Sequence, residues 1–320
     1  MPLLMSDKKN TSTFINVVKL IRWPNLLIIA LAMALVQYTI INPILNYNSL
    51  PIMHSGVFVL LVLSTVLLAA GGYVINDILD VKIDLINKPQ KVIVGKKYPL
   101  SLCWELYWVC TVIGVLAMLI ACWYNHTFYM ATIAAFEAAL LWFYSSVLKK
   151  LPLIGNVSIS ILCALALLKP MLLHQPAYAT SGIIFLVLGY VLFAFILTLI
   201  RELIKTCEDV HGDSAMGAQT AAVFFGVTAT KIIAAVLTLT CMVSVGWFMW
   251  QQWLSETFWT NDFISFGYVA LFVQLPLLLL LYKLFTAKNT PQFTTASMVA
   301  KIVMVTGIFS MLVFYWVLFI

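Results

Sequence analysis

The chain reads as an all-α, polytopic membrane protein of about nine transmembrane helices, on three observations. Of its 320 residues, 63% are hydrophobic and only 9% are charged, where a soluble domain carries about 25% charged residues. Apolar runs of about twenty residues, the length that crosses a bilayer as a helix, recur from end to end. Lysines and arginines, Lys169 excepted, gather at alternate connections between those runs, the asymmetry that orients membrane proteins.

The runs place spans at 25–42, 57–79, 102–123, 128–148, 153–173, 183–203, part of 221–250, 264–285 and 297–319. Before the first, Phe14 to Trp23 forms a short amphipathic piece suited to the interface. Lys8 and Lys9 precede an apolar run as in a signal peptide, but Lys19, Arg22 and Pro24 interrupt it. No small-residue cleavage site follows, so a retained first span is expected. The connections at 43–56, 124–127, 174–182 and 251–263 hold no lysine or arginine. The N-terminus is therefore expected in the cytoplasm and the C-terminus outside. Lys169, inside the fifth span, is not placed by this rule.

The net charge of +6 comes from loop lysines, with no basic run interleaved with aromatics, which excludes a nucleic-acid partner. No obligate protein partner is evident. Six cysteines without a CxxC pair read as small core residues. His54, His126 and His174 lie in the far-side connections and belong to no constellation.

The acidic residues are the informative ones. Seven of the twelve carboxylates lie in two places. In the first, Asn76, Asp80 and Asp84 step by four along one helical stripe with Asp77 beside it. In the second, Glu202, Lys205, Asp209 and Asp213 step by three, four and four. A charged helix end is usually just solvated, but two such stripes, on the same side and at the same spacing, point to a shared purpose. They suggest one membrane-embedded domain over 1–320 made of two pseudo-repeated halves, about 1–150 and 151–320. Like charges at this spacing repel unless a cation sits among them, and hard divalent cations prefer oxygen ligands.

Two facing carboxylate clusters can hold two or more Mg2+ ions, which take one or two carboxylates plus phosphate oxygens of a substrate. That arrangement activates a diphosphate as a leaving group, and Lys88, Lys91, Lys149 and Lys205 can clamp its remaining oxygens. From an allylic isoprenoid the departure leaves a carbocation that an apolar, aromatic-rich tunnel would shelter from water. No serine, cysteine or histidine nucleophile with a partner is present, so electrostatic activation must carry the rate.

Asn76-Asp77-x-x-Asp80-x-x-x-Asp84 resembles the first signature of the UbiA-type intramembrane prenyltransferases, and Lys205 with Asp209-x-x-x-Asp213 resembles the second. Arg22-x-Pro24-Asn25, Tyr144-Ser145 with Lys149, Gly155-Asn156 and the nine-span layout extend the likeness over nearly the whole chain. The resemblance implies a helix bundle around a central cavity, Mg2+, a prenyl diphosphate donor and a lipophilic acceptor. It places the chain in a bacterial or archaeal cell membrane with a cytoplasmic active site. It also implies that Asn76, Asp80, Asp84, Asp209 and Asp213 hold the metal–diphosphate unit with Asp77 supporting. Arg22, Asn25, Tyr144 and Asn156 would then meet substrate alongside Lys88, Lys91, Lys149, Glu202 and Lys205.

Within the family, Ile86-Asn87-Lys88-Pro89 and Arg201-Glu202-x-x-Lys205-x-x-Glu208-Asp209-x-x-Gly212-Asp213 look most like the geranylgeranylglyceryl-phosphate branch. Lys91-Val92 stands where Arg-Pro is usual, Thr206 where Asp is usual and Gln219 where Lys is common. These departures bear on the acceptor rather than on magnesium. A phosphate-bearing glycerol acceptor is expected, with Arg22 at its phosphate; a quinone precursor is the alternative. Outside the enzymes, a cation or proton transporter would need acids near the bilayer midplane and broken helices. A structural subunit would use the acids for docking. Here the acids close their spans on one side, which favours an enzyme.

Overall fold

A computed structural model describes residues 15–90, 92–174, 180–254 and 263–319. Helices account for every regular element among them, apart from one isolated bridge between Val94 and Tyr98. A helical turn over 15–20 stands where the interfacial piece is expected. Helix α1 then runs Trp23–Tyr47, α2 Ser55–Leu79, α3 Val81–Asn87, α4 Leu100–Asn125, α5 Tyr129–Ser146 and α6 Ile154–Leu173. Next come α7 Ser181–Glu208, α8 Val210–Ala215, α9 Ala221–Phe224, α10 Val227–Leu254, α11 Phe263–Thr286 and α12 Thr290–Phe319. Eight of these are long and apolar enough to cross a membrane. The ninth expected span is the 18-residue α5, which carries Glu137 at its middle and ends Tyr-Ser-Ser.

Two spans change character upstream of a proline. In α1 the stretch Val36–Ile41 is π-helical before Pro43, and in α11 Ala270–Gln274 is π-helical before Pro276. Proline offers no N–H and its ring crowds the carbonyl four residues back. A wider turn is one way a helix absorbs that conflict.

The chain divides into two compact units, the first reaching Leu31 and resuming at Met53–Lys149, the second holding Ala32–Ile52 and everything from Lys150 onward. It passes from the first to the second within α1.

The first unit is built on α2 against α4, with α5 packed on both. Small residues set the approach: a Cβ on Gly114 would lie 3.2 Å from the Ser64 carbonyl oxygen and 3.1 Å from Leu68. Helices in lipid gain little from hydrophobicity between them, so close contact of this kind supplies the cohesion. Gly114→Val is expected to cost about 1–3 kcal/mol by overpacking, since a backbone oxygen cannot yield. Gly182→Ala, where a Cβ meets nothing within 4 Å, should leave the melting midpoint in detergent unchanged. Equal midpoints for the two variants would show that the α2–α4 contact is loose. Beyond α3 the loop folds back, with Gly95 at φ +74° donating from N to Tyr98 O at 2.8 Å. That turn buries Val92 and Val94 while Lys96 and Lys97 stay exposed.

In the second unit, α7 lies against α6, α10 and α12, and α11 packs on α10 and α12. The core runs through Leu197, Ile200 and Ile204 of α7, Leu277 and Leu280 of α11 and Ala296, Ala300 and Val303 of α12. All six cysteines are free thiols, five of them buried and Cys163 half-buried, as expected of core residues.

Candidate active site

The first cluster is built by the way α2 ends. Asp80 closes the helix with ψ near 0°, and α3 starts anew from it. The backbone bonds nevertheless continue at four-residue steps: Asp80 N to Asn76 O at 2.9 Å, Asp84 N to Asp80 O at 2.8 Å and Lys88 N to Asp84 O at 2.8 Å. Asn76, Asp80, Asp84 and Lys88 thus keep one phase through the break, as their spacing predicts.

Two cations hold this cluster. Lys149, in the short 3-10 turn after α5, sets its Nζ 2.6 Å from Asp80 Oδ1 and 3.5 Å from Asn76 Oδ1. Arg22 donates from Nη2 to Asp77 Oδ1 at 2.6 Å, with its guanidinium 5.0 Å from the centre of the Tyr73 ring. It reaches there from a left-handed backbone turn, φ 54°, between the 15–20 turn and α1. Arg22 is therefore committed to Asp77, a duty the sequence did not reveal. Asn25 stands one turn on, its N bonded to Arg22 O at 2.9 Å. Tyr144 is half-buried near the end of α5, and Lys88 caps α3. Lys91 lies outside the described residues.

Asp84 shows what crowding carboxylates does. Burial first, then the charges of Asp80 and Asp77, push it up to about 6, against the pull of Arg22 and Lys88. Between pH 4 and 6 the native carboxyl keeps a proton that an unfolded one, near its ordinary value, has released. The native state binds more protons there, so this group's contribution to stability falls as pH rises through that window. Melting in chelator across pH 4–7 should show that slope reduced in Asp84→Asn; identical slopes would place the shift elsewhere.

The second cluster repeats the local construction in the other unit. Asp209 closes α7 with ψ near 0°, its N bonded to Lys205 O at 2.9 Å, and α8 follows with Asp213 N on Asp209 O at 3.1 Å. Asp213 is buried and accepts from Thr220 Oγ1 at 3.0 Å. Thr220 is a positioning residue that spacing could not reveal, since it lies beyond the turn after α8. Glu202, also buried, accepts from Arg201 Nη1 at 2.9 Å and from Lys205 Nζ at 3.3 Å. Lys205, expected at substrate, is thus engaged with Glu202. Asn156 is buried in the first turn of α6, its carbonyl accepting from Ser160 Oγ at 2.7 Å. His211 is exposed.

Among the described residues, no three Asp, Glu, His or Cys side chains converge into a ready-made metal cage. The donors are all carboxylate or amide oxygens, which suits a hard divalent cation. Magnesium in phosphate chemistry needs only one or two protein carboxylates, the substrate supplying the other oxygens. In the protein alone, Lys149 and Arg22 balance two of the acids instead. The residues fit Mg2+ held jointly with a diphosphate.

The model of the UbiA prenyltransferase family matches residues 25–304. Digeranylgeranylglyceryl phosphate synthase of Sulfurisphaera tokodaii is 32% identical over 180 residues, 55% of this chain and 62% of that protein. The protein of the same name from Hyperthermus butylicus is 34% identical over 233 residues, 72% of this chain and 74% of that one. The match to the Sulfurisphaera protein and several others of that name spans about three-fifths of their length. Among solved structures, a digeranylgeranylglyceryl phosphate synthase has a TM-score of 0.62 at 20% identity, covering 94% of this chain and 98% of that one. A UbiA homolog from Archaeoglobus fulgidus bound to DMAPP and Mg2+ has a TM-score of 0.58 at 16% identity, covering 93% and 99%. These structural likenesses show the shared fold.

Proposed function

Because the chain belongs to the UbiA prenyltransferase family, we propose that it is a magnesium-dependent intramembrane prenyltransferase, moving an isoprenyl group from a prenyl diphosphate to geranylgeranylglyceryl phosphate. The observation that carries the reading is the pair of like-built clusters. Each places two aspartates four residues apart across a helix break at the end of a spanning helix. The Archaeoglobus homolog bound to DMAPP and Mg2+ supports the donor and the metal, and the name shared by the relatives supports the acceptor.

In this proposal Asn76, Asp80, Asp84, Asp209 and Asp213 hold the metal–diphosphate unit, with Asp77 supporting. Bound magnesium neutralises the diphosphate oxygens and makes the group a better leaving group. The chain's own cations, Lys149 above all, balance the acids until substrate arrives and can then turn to phosphate oxygens. The allylic C–O bond breaks with its electron pair leaving on the diphosphate. The acceptor hydroxyl oxygen forms the new C–O bond and its proton passes to the departing diphosphate. The apolar spans exclude water, which would otherwise capture the allylic cation. The lysines that follow α3 and α5 support a cytoplasmic position for both clusters.

The test uses the purified full chain in lipid nanodiscs with labelled geranylgeranyl diphosphate. Geranylgeranylglyceryl phosphate, 1,4-dihydroxy-2-naphthoate and 4-hydroxybenzoate are offered in parallel, with and without Mg2+. Mg2+-dependent transfer to the first is expected, with loss on chelation. Transfer to an aromatic acid alone would overturn the acceptor but leave the reaction class. No transfer to any acceptor would overturn the enzyme reading and favour a transporter.

A further inference from the structure

The turn that follows α8 is built to return to Asp213. Gly217, at φ +70°, takes the left-handed conformation that a Cβ disfavours. Ala218 N donates to Asp213 O at 2.9 Å and Gly217 N to Ser214 O at 3.1 Å, the paired bonds with which a glycine closes a helix. Gln219 N then donates to Lys150 O at 2.9 Å, tying the returning chain to the turn before α6. One residue later, Thr220 Oγ1 donates to Asp213 Oδ2 at 3.0 Å. Thr220 and Asp213 are 6% and 9% exposed, so little water competes for this bond. Helix α9 starts from Thr220, whose carbonyl accepts from Val223 N and Phe224 N at 3.0 and 2.9 Å. A threonine in that place ordinarily turns its hydroxyl to the helix's own first N–H groups. This one makes no such bond and gives its proton to the carboxylate instead. A hydroxyl orients a carboxylate without cancelling its charge, unlike the lysine on Asp80.

We propose that Thr220 sets the metal preference of the second cluster: by engaging Asp213 Oδ2 and fixing the carboxylate in rotation, it makes Asp213 a poor bidentate ligand and so favours Mg2+ over Ca2+. The assignment rests on the proposed metal–diphosphate role of Asp213. Magnesium demands near-octahedral geometry and keeps waters and phosphate oxygens beside its few carboxylates. Calcium accepts about six to eight oxygens in looser geometry and takes carboxylates through one oxygen or both. Hydrogen-bond partners behind a ligating carboxylate decide which of these it can offer. Thr220 acts through Asp213 and is a positioning residue.

Wild type, Thr220→Val, Thr220→Ala and Thr220→Ser are compared in nanodiscs without acceptor. The melting midpoint is read as Mg2+ or Ca2+ is titrated in with a non-hydrolysable geranylgeranyl diphosphate analogue. Valine keeps the shape of threonine without the hydroxyl, alanine serves if valine does not fold, and serine keeps the hydroxyl. Partners of this kind are worth about 10–100-fold in metal affinity, so half-saturating Mg2+ should rise about tenfold or more in the valine and alanine variants. Half-saturating Ca2+ should stay or fall, because the released carboxylate can then meet it with both oxygens. Thr220→Ser should keep the wild-type preference. A merely structural role would lower the metal-free midpoint and leave the ratio of the two half-saturation points unchanged. That unchanged ratio, or an equal loss of both metals, overturns the proposal, as does failure of both the valine and alanine variants to fold. A wild type whose midpoint answers to neither metal overturns it together with the magnesium reading. Mg2+-dependent transfer to geranylgeranylglyceryl phosphate, with the ratio unmoved in the variants, removes the preference and leaves the proposed function. A ratio that shifts as expected, in a protein that prenylates only aromatic acids, leaves Thr220 standing and removes the acceptor.

Discussion

Replacing Asp80 or Asp209 by Asn should lower prenyl transfer on the order of a hundredfold or more, the usual cost of losing a contact to developing transition-state charge. Asparagine keeps the size and one acceptor oxygen of each side chain. Lys149 Nζ, now 2.6 Å from Asp80 Oδ1, retains an oxygen to donate to. The helix break at each position depends on backbone bonds, Asp80 N to Asn76 O and Asp209 N to Lys205 O, which the substitution does not touch. Circular dichroism should therefore match wild type, with the Asp80→Asn midpoint lowered because Lys149 loses its counter-charge, while initial rates with saturating geranylgeranyl diphosphate fall. Near-normal rates in either variant would place the metal–diphosphate unit elsewhere.

Lys149→Met should produce the largest loss of stability among the charged-residue variants, measured as a drop in melting midpoint without Mg2+. The Lys149 and Asp80 side chains are 11% and 15% exposed, so the pair is shielded from solvent. Removing one partner of a buried pair costs about 3–5 kcal/mol because the other charge is left uncompensated; partial exposure puts this pair at or below the lower end. Lys149→Arg keeps a cation and should recover much of the loss. Adding Mg2+ with a non-hydrolysable prenyl diphosphate should raise the midpoint of Lys149→Met, since a metal there also balances Asp80. A midpoint equal to wild type would show the 2.6 Å contact to be energetically idle.

The spans were legible because length and hydropathy are properties of the chain alone. A span expected at 57–79 is the helix Ser55–Leu79, and one expected at 102–123 is Leu100–Asn125. The apolar run expected to span the membrane stops at residue 203, while the helix that carries it, α7, continues to Glu208. The charged residues that close it sit on the outer turns, where water or a ligand can satisfy them, so falling hydropathy marked the membrane edge rather than the helix end. Nothing in the sequence specifies the π-helical stretches before Pro43 and Pro276. Proline announces a conflict with the helix but does not say whether kink, break or wider turn resolves it.

Four-residue spacing by itself determined that Asn76, Asp80 and Asp84 share one phase, and likewise Asp209 and Asp213, because that phase is a local property of the helical backbone. Spacing could not say that each stripe crosses a break, since φ and ψ at Asp80 and Asp209 answer to what packs around them. Partners were decided only by the tertiary structure. Arg22 meets Asp77 across 55 positions of sequence and Lys149 meets Asp80 across 69. Tyr190 meets Ser310 across 120 positions, which sets two helices antiparallel. A charge is written in the sequence, but the charge it answers depends on distance through space, which falls off over a few ångströms whatever the separation along the chain.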